Sequence, residues 1–160
     1  MIVLELGSGA CPTMREDARV LHLDRVEGPH VELVADLNHG IPLPSNTVDE
    51  VIAIDVLEHL QDVVAAMDEI HRVLVPNGLA VIQVPLAGTY NHITDPTHVR
   101  GFGMDSFDFF DDAKPLGRHN GRLYTARRWT IERKEQVGLN VKAWMRAIKP
   151  GESSATWWAT

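Results

Sequence analysis

The chain has 160 residues, 44% hydrophobic and 23% charged, with a net charge of −7 and one cysteine. That length suits a single domain able to bury roughly 70% of its unfolded surface, and a lone Cys11 closes no internal disulfide. The acidic balance argues against a general affinity for nucleic acid, and no apolar run approaches the roughly 20 residues of a membrane-crossing helix.

Ile2-Val3-Leu4-Glu5-Leu6 is an apolar, β-branched run halted by Gly7-Ser8-Gly9, which predicts a buried strand entering a tight turn. Similar runs at 20–23, 31–35, 48–54 and 79–84 each end at a polar or turn residue. Between the last two, Val63, Val64, Met67, Ile70, His71 and Leu74 recur at helical spacing within 62–74, and Pro76-Asn77-Gly78 closes the segment. A strand, helix, strand order with near-continuous apolar strands implies a parallel sheet with right-handed crossovers. The early connectors are short. Pro12 to Arg19 has room for about two helical turns, and Val26 to His30, broken by Gly28-Pro29, for almost none. A short helix is expected over 104–110. Two late strands over 122–133 and 139–148 are expected to form an antiparallel edge, with Val141, Ala143, Met145 and Ala147 on one face. The expected fold is therefore α/β, a doubly wound and mostly parallel sheet with trimmed helices and an antiparallel C-terminal edge. It occupies 1–150, and 151–160 form a tail.

Ligands bind such sheets at the carboxyl edge, where this sequence places several carboxylates. Glu5 precedes a turn whose Gly7 and Gly9 let backbone approach a ligand, with Ser8 between them. Asp24 ends the second run, where it can accept both hydroxyl protons of a ribose. Asp36 ends the third, able to accept an adenine amino proton while Leu37 lies against the ring, although Asp before Leu-Asn is also good turn chemistry. The fourth run continues into Asp55-Val56-Leu57-Glu58-His59-Leu60, where Glu58 and His59 fit the first turn of the following helix.

With these features in order over residues 2–85, the chain resembles the class I S-adenosylmethionine-dependent methyltransferases of Rossmann-like fold, small-molecule type. The resemblance implies S-adenosylmethionine as cofactor. It further implies that Gly7, Ser8 and Gly9 pass beneath the methionine part, Asp24 holds the ribose, Asp36 and Leu37 frame the adenine, and Asp55 and Val56 close the pocket near the sulfonium. Cys11 stands where the family often has a third glycine, and the helices that usually precede the first strand are missing. A nicotinamide dinucleotide is disfavoured because Pro12 stands where its fingerprint requires glycine.

Past Pro85 the chain reads Tyr90-Asn91-His92-Ile93-Thr94-Asp95-Pro96-Thr97-His98-Val99-Arg100, on a loop expected to face the cofactor edge. His92 and His98 can take an acceptor's proton and Asp95 can fix a histidine tautomer, or the three can simply order the loop. No metal site is expected from His92, Asp95 and His98, because Pro96 keeps a regular helix from presenting them together.

Between Lys114 and Lys149 ten Lys and Arg face only Glu132 and Glu135, a net +8 that leaves −15 on the remainder. Such a basic edge either complements an acidic body or meets an anionic substrate. The expected activity is methyl transfer to a small-molecule or glycan acceptor. A non-catalytic interaction domain on the same fold and a nucleic-acid methyltransferase are the alternatives. No leader is read at the start, and with the unpaired thiol this places the chain in the cytoplasm. Four Trp residues and thin early helices make a homodimer the expected state.

Overall fold

The computed structural model describes residues 1–9 and 11–150, so the expected tail at 151–160 lies outside the described residues. Seven strands form one sheet: β1 (Ile2–Leu6), β2 (Arg19–Asp24), β3 (Leu33–Val34), β4 (Val48–Ile54), β5 (Leu74–Pro85), β6 (Arg128–Val137) and β7 (Asn140–Ile148). Their order is β3-β2-β1-β4-β5-β7-β6. The first five are parallel, and β7 runs antiparallel to both β5 and β6. This is the doubly wound sheet with an antiparallel C-terminal edge that the sequence predicts.

The central strands explain themselves by burial, since Val3, Leu4, Val51, Ala53, Ala80 and Ile82 are all fully buried. Helix α1 (Val63–Val73) is capped by Asp62, whose carboxylate accepts from Ala65 N at 2.9 Å. Its buried face of Val63, Ala66, Met67, Ile70 and His71 closes on the sheet. On β7, Val141, Ala143, Met145 and Ala147 are buried as their shared parity requires. Two helical turns, α2 (Tyr90–Thr94) and α3 (Pro115–His119), complete the regular elements, with 3-10 turns at Leu37–His39, Leu57–His59, Ser106–Phe110 and Gly121–Leu123. Residues 11–18 and 25–32 form no helix, so the first face is as thinly covered as their lengths suggest.

Four boundaries differ from expectation. β3 keeps only two of five residues, because the Glu32 side chain takes His22 N–H at 2.8 Å and so occupies a ladder donor. β6 begins at Arg128 rather than Arg122, because 121–123 coil and Thr125 instead donates to Asp68 at 2.6 Å and accepts from Arg127 N. The Pro76-Asn77-Gly78 turn lies inside β5 as a break in register between the Val48–Leu74 and Glu50–Leu79 pairs, with Asn77 at φ 60°. The helix expected at 104–110 is the shorter 3-10 turn at 106–110, which buries Phe107 and Phe110.

Part of the basic segment is paired within the fold. Arg122 and Arg128 pair with Asp112, Lys134 with Asp105 and Asp108, and Arg146 with Glu132. Trp129 is 2% exposed in the core and Trp144 lies under Arg133 and Lys142, so neither of these two Trp residues presents a bare apolar surface.

Candidate functional site

At the carboxyl end of β1 the chain turns through Gly7 and Gly9, both left-handed at φ 65° and 54°. A Cβ on Gly7 would lie 2.6 Å from Val56 Cγ2, so this turn packs directly on the end of β4. Gly9 N–H donates to the Asp24 carboxylate at 2.9 Å, and Val26 N–H donates to its other oxygen at 2.9 Å. Each oxygen keeps a free lone pair for a further donor. Glu5 is 7% exposed and fully engaged: its carboxylate accepts from the amide and hydroxyl of Thr13 and lies 2.8 Å from His22 Nδ1. It therefore ties the segment after the turn to β2. Ser8 is 5% exposed, and its Oγ is buried without a hydrogen-bond partner.

Asp36 caps the turn at 37–39, accepting from Asn38 N and Nδ2 at 2.9 Å each, and these bonds hold its carboxyl below the usual range. Leu37, beside it, packs half-buried against the core. Asp55, exposed at the end of β4, holds φ 55°, a conformation Asp tolerates better than most residues. Its amide donates to Gln83 O at 2.9 Å, which ties the ends of β4 and β5 together.

Three residues on, the structure adds a group that sequence reasoning passed over. Glu58 is fully buried, and both carboxylate oxygens lack a hydrogen-bond partner. Burial, the dominant cause, pushes its carboxyl up to about 7, with help from the nearby negative charge of Asp55. His98 Nε2 lies 3.8 Å from Glu58 Oε1 and also 3.8 Å from Asp95 Oδ2, while His98 Nδ1 donates to His92 O at 3.0 Å. The His59 and His98 rings meet edge to face, with centroids 4.7 Å apart. His59 Nδ1 donates to Thr97 Oγ1 at 3.0 Å, and that hydroxyl donates to Asp95 Oδ1 at 2.6 Å. The Thr97 bonds hold the Asp95 carboxyl low.

Of the three loop residues expected to do chemistry, the structure brings His98 and Asp95 together and gives His92 a different part. The His92 ring accepts from Gly88 N at 3.2 Å and abuts Gly101, where a Cβ would come 2.8 Å from its Nε2. The His92 carbonyl takes the His98 Nδ1 proton, and the two rings stack with centroids 6.4 Å apart. Glu58 and His59 sit on a 3-10 turn rather than in the first turn of α1, because Asp62 starts that helix four residues after Glu58. The signal that could have found them is a charged residue inside the apolar run Val56-Leu57-Glu58-His59-Leu60. A cavity of about 350 Å³ lies beside this region, between α1 and the turns at 106–110 and 121–123. Arg100, Phe102, Phe109 and Tyr124 line it, and no expected site residue does.

A parallel sheet in this order, with a glycine turn after β1 and a carboxylate at the end of β2, defines a nucleoside-binding α/β domain. Residues 4–82 match the family described as methyltransferase domain. Over 93 residues the chain is 34% identical to a protein of Mycolicibacterium smegmatis named as a probable S-adenosylmethionine-dependent methyltransferase, covering 53% of this chain. The chain spans 34% of that relative's length. A methyltransferase of Aquifex aeolicus superposes with TM-score 0.64 at 20% identity, over 93% of this chain and 82% of the other. The 1,6-didemethyltoxoflavin-N1-methyltransferase of Burkholderia thailandensis, solved with 1,6-didemethyltoxoflavin and S-adenosylhomocysteine, gives 0.63 at 18% identity, over 92% and 71%. The [4+2]-cyclase SpnF gives 0.62 at 12% identity, over 92% and 74%, so the fold by itself does not name a reaction. Through residues 4–82 the chain is similar to the methyltransferase-domain family and to the S-adenosylmethionine-dependent methyltransferases of class I. S-adenosylmethionine is the cofactor of that class, and the turn here fits it: Ser8 Oγ is buried and unpartnered, and Asp24 retains free lone pairs. Among the described residues no helix is long and apolar enough to cross a membrane.

Proposed function

We propose that the chain binds S-adenosylmethionine at the turn after β1 and transfers its methyl group to a small-molecule or glycan acceptor held beside Glu58, His59 and His98. The observation that carries this reading is the packing of Gly7 against Val56, which sets the cofactor turn against the strand end that leads to Glu58. In the proposed arrangement Gly7, Ser8 and Gly9 give the cofactor backbone approach and Asp24 accepts its ribose hydroxyls. Asp36 and Leu37 flank the base, and Asp55 borders the methionine end. Glu5 acts as a positioning residue through Thr13 and His22. When bound, the cofactor supplies a methyl group already activated on a sulfonium, so the protein's task is to align and deprotonate an acceptor.

On the acceptor side, His98 presents Nε2, Asp95 steadies His59 through Thr97, and His92 orients His98 through its carbonyl. A small acceptor is favoured over nucleic acid because Arg122, Arg128, Lys134 and Arg146 are already paired within the fold. The exposed thiol of Cys11 supports placing the activity in a reducing compartment, the cytoplasm.

The test is transfer of isotopically labelled methyl from S-adenosylmethionine to a panel of hydroxylated and amine-bearing small molecules and glycans, with RNA as comparison. With the best acceptor, His98→Ala is expected to lower kcat by about 10² to 10⁴ while leaving cofactor affinity unchanged. Full turnover in a folded His98→Ala protein would remove the loop from the reaction, and labelling of RNA alone would overturn the acceptor class.

A further inference from the structure

We propose that Glu58, His59 and His98 bind a divalent transition-metal cation at the acceptor side of the site. A ring nitrogen of each histidine and a carboxylate oxygen of Glu58 lie within 4.8 Å of one another, and the His98 to Glu58 pair is at 3.8 Å. Donor atoms around a tetrahedral cation with bonds of about 2.0–2.1 Å stand about 3.4 Å apart, so small side-chain rotations close the set.

The hydrogen bonds around the cluster are those a metal site needs. His98 uses its Nδ1 proton on His92 O, which leaves the Nε2 lone pair directed towards Glu58. His59 uses its Nδ1 proton on Thr97 Oγ1, whose own hydroxyl proton goes to Asp95, so its Nε2 is likewise the free nitrogen. Metal-ligating histidines characteristically donate their other N–H to a carbonyl or, directly or by relay, to a carboxylate.

Glu58 supplies the independent observation. It is fully buried with both oxygens unpartnered, and 3.8 Å to His98 is too long for a hydrogen bond. A buried carboxyl with no donor is costly, and a cation removes that cost by taking its lone pairs. Two imidazoles and one carboxylate suit zinc or ferrous iron, with positions left open for another ligand. The role of the cation rests on the acceptor-side reading above. With the cation bound, His98 Nε2 serves as a ligand in place of its role as base, and a hydroxyl coordinated at an open position is acidified: its O–H bond breaks, the proton passes to solvent water, and the electron pair stays on oxygen as the nucleophile.

The test uses the whole chain, treated with chelator and titrated with Zn²⁺ alone by calorimetry and with Co²⁺ by visible absorption. One equivalent is expected. Glu58→Gln and His98→Ala should each weaken binding by at least about 10- to 100-fold, and exposed His119→Ala should leave it unchanged. The wild-type Co²⁺ spectrum decides the matter if a variant fails to fold. No stoichiometric binding by the wild type, or equal affinity in both folded variants, overturns the proposal. Calorimetry with S-adenosylhomocysteine on the same preparations separates the two readings: cofactor binding without metal binding sinks the cation alone, whereas loss of cofactor binding by the wild type sinks the site assignment.

Discussion

Gly7 and Gly9 are kept as glycine for different reasons. Both are left-handed, which costs an L-residue about 1–2 kcal/mol, but only Gly7 faces Val56 at a distance no real Cβ tolerates. Nothing but Gly7 O, at 4.0 Å, approaches the corresponding point on Gly9. Gly9→Ala is therefore expected to lose about 1–2 kcal/mol of stability from the backbone alone. Gly7→Ala should lose about 2–5 kcal/mol once overpacking is added. Urea denaturation of the two variants measures the difference, and equal losses would mean that Val56 moves aside without cost. Gly9→Ala is then the cleaner probe of ligand approach, because Gly7 serves the fold as well.

The positions of the residues proposed for the cofactor were legible because they lie at or just past strand ends, and strand ends can be read from apolar runs that stop. Asp24 and the glycine turn fall where that reading puts them. Glu5 was located but not its partners, since Thr13 and His22 reach it across two elements. Glu58 was illegible as a site because its meaning depends on His98, 40 positions further on, being folded back beside it. Reading metal chemistry within the loop alone found Pro96 in the way, whereas the cluster takes only His98 from that loop.

At the scale of elements, α1 shows what periodicity gives and what it hides. The apolar spacing predicts that His71 faces inward, and it is 1% exposed, with Trp129 edge-on at 5.2 Å. Spacing says nothing of its bonds: Nε2–H is shared between Ile148 O at 3.0 Å and Arg128 O at 3.2 Å, tying the helix to the ends of β7 and β6. Burial, the largest cause, lowers its pKa from 6.5, and the positive charges of Lys149 and Arg127 act in the same direction. A base whose folded pKa is depressed binds its proton more readily when unfolded. Its contribution to stability is thus complete above about pH 6.5 and falls as pH drops below that value. Stability measured from pH 7.5 to 5 should decline less steeply in His71→Gln than in the wild type. Parallel curves would show that His71 does not carry the pH dependence. The boundaries that sequence missed, in β3 and β6, are those where side chains of Glu32 and Thr125 compete with the backbone ladder, a long-range event that no local window registers.

Across the whole molecule, the charge asymmetry that could have meant an anionic partner resolves in part into ion pairs of Arg122, Arg128 and Lys134 with acidic residues at 105, 108 and 112. The carboxyl edge of the sheet is left as the place where glycine backbone, free carboxylate lone pairs and an unpartnered buried glutamate gather. Strand direction was readable because a parallel sheet buried on both faces imposes long apolar runs, and those runs survive even where the early helices have been trimmed away.

The central claim is that this edge binds S-adenosylmethionine through the turn after β1 and Asp24, and titration calorimetry with S-adenosylhomocysteine tests it most directly. The wild-type chain should bind one equivalent, and Asp24→Ala should bind about ten- to a hundredfold more weakly, because the ribose loses a charged acceptor worth roughly 1.5–3 kcal/mol. Absence of binding by the folded wild type, or unchanged affinity in Asp24→Ala, would contradict the account.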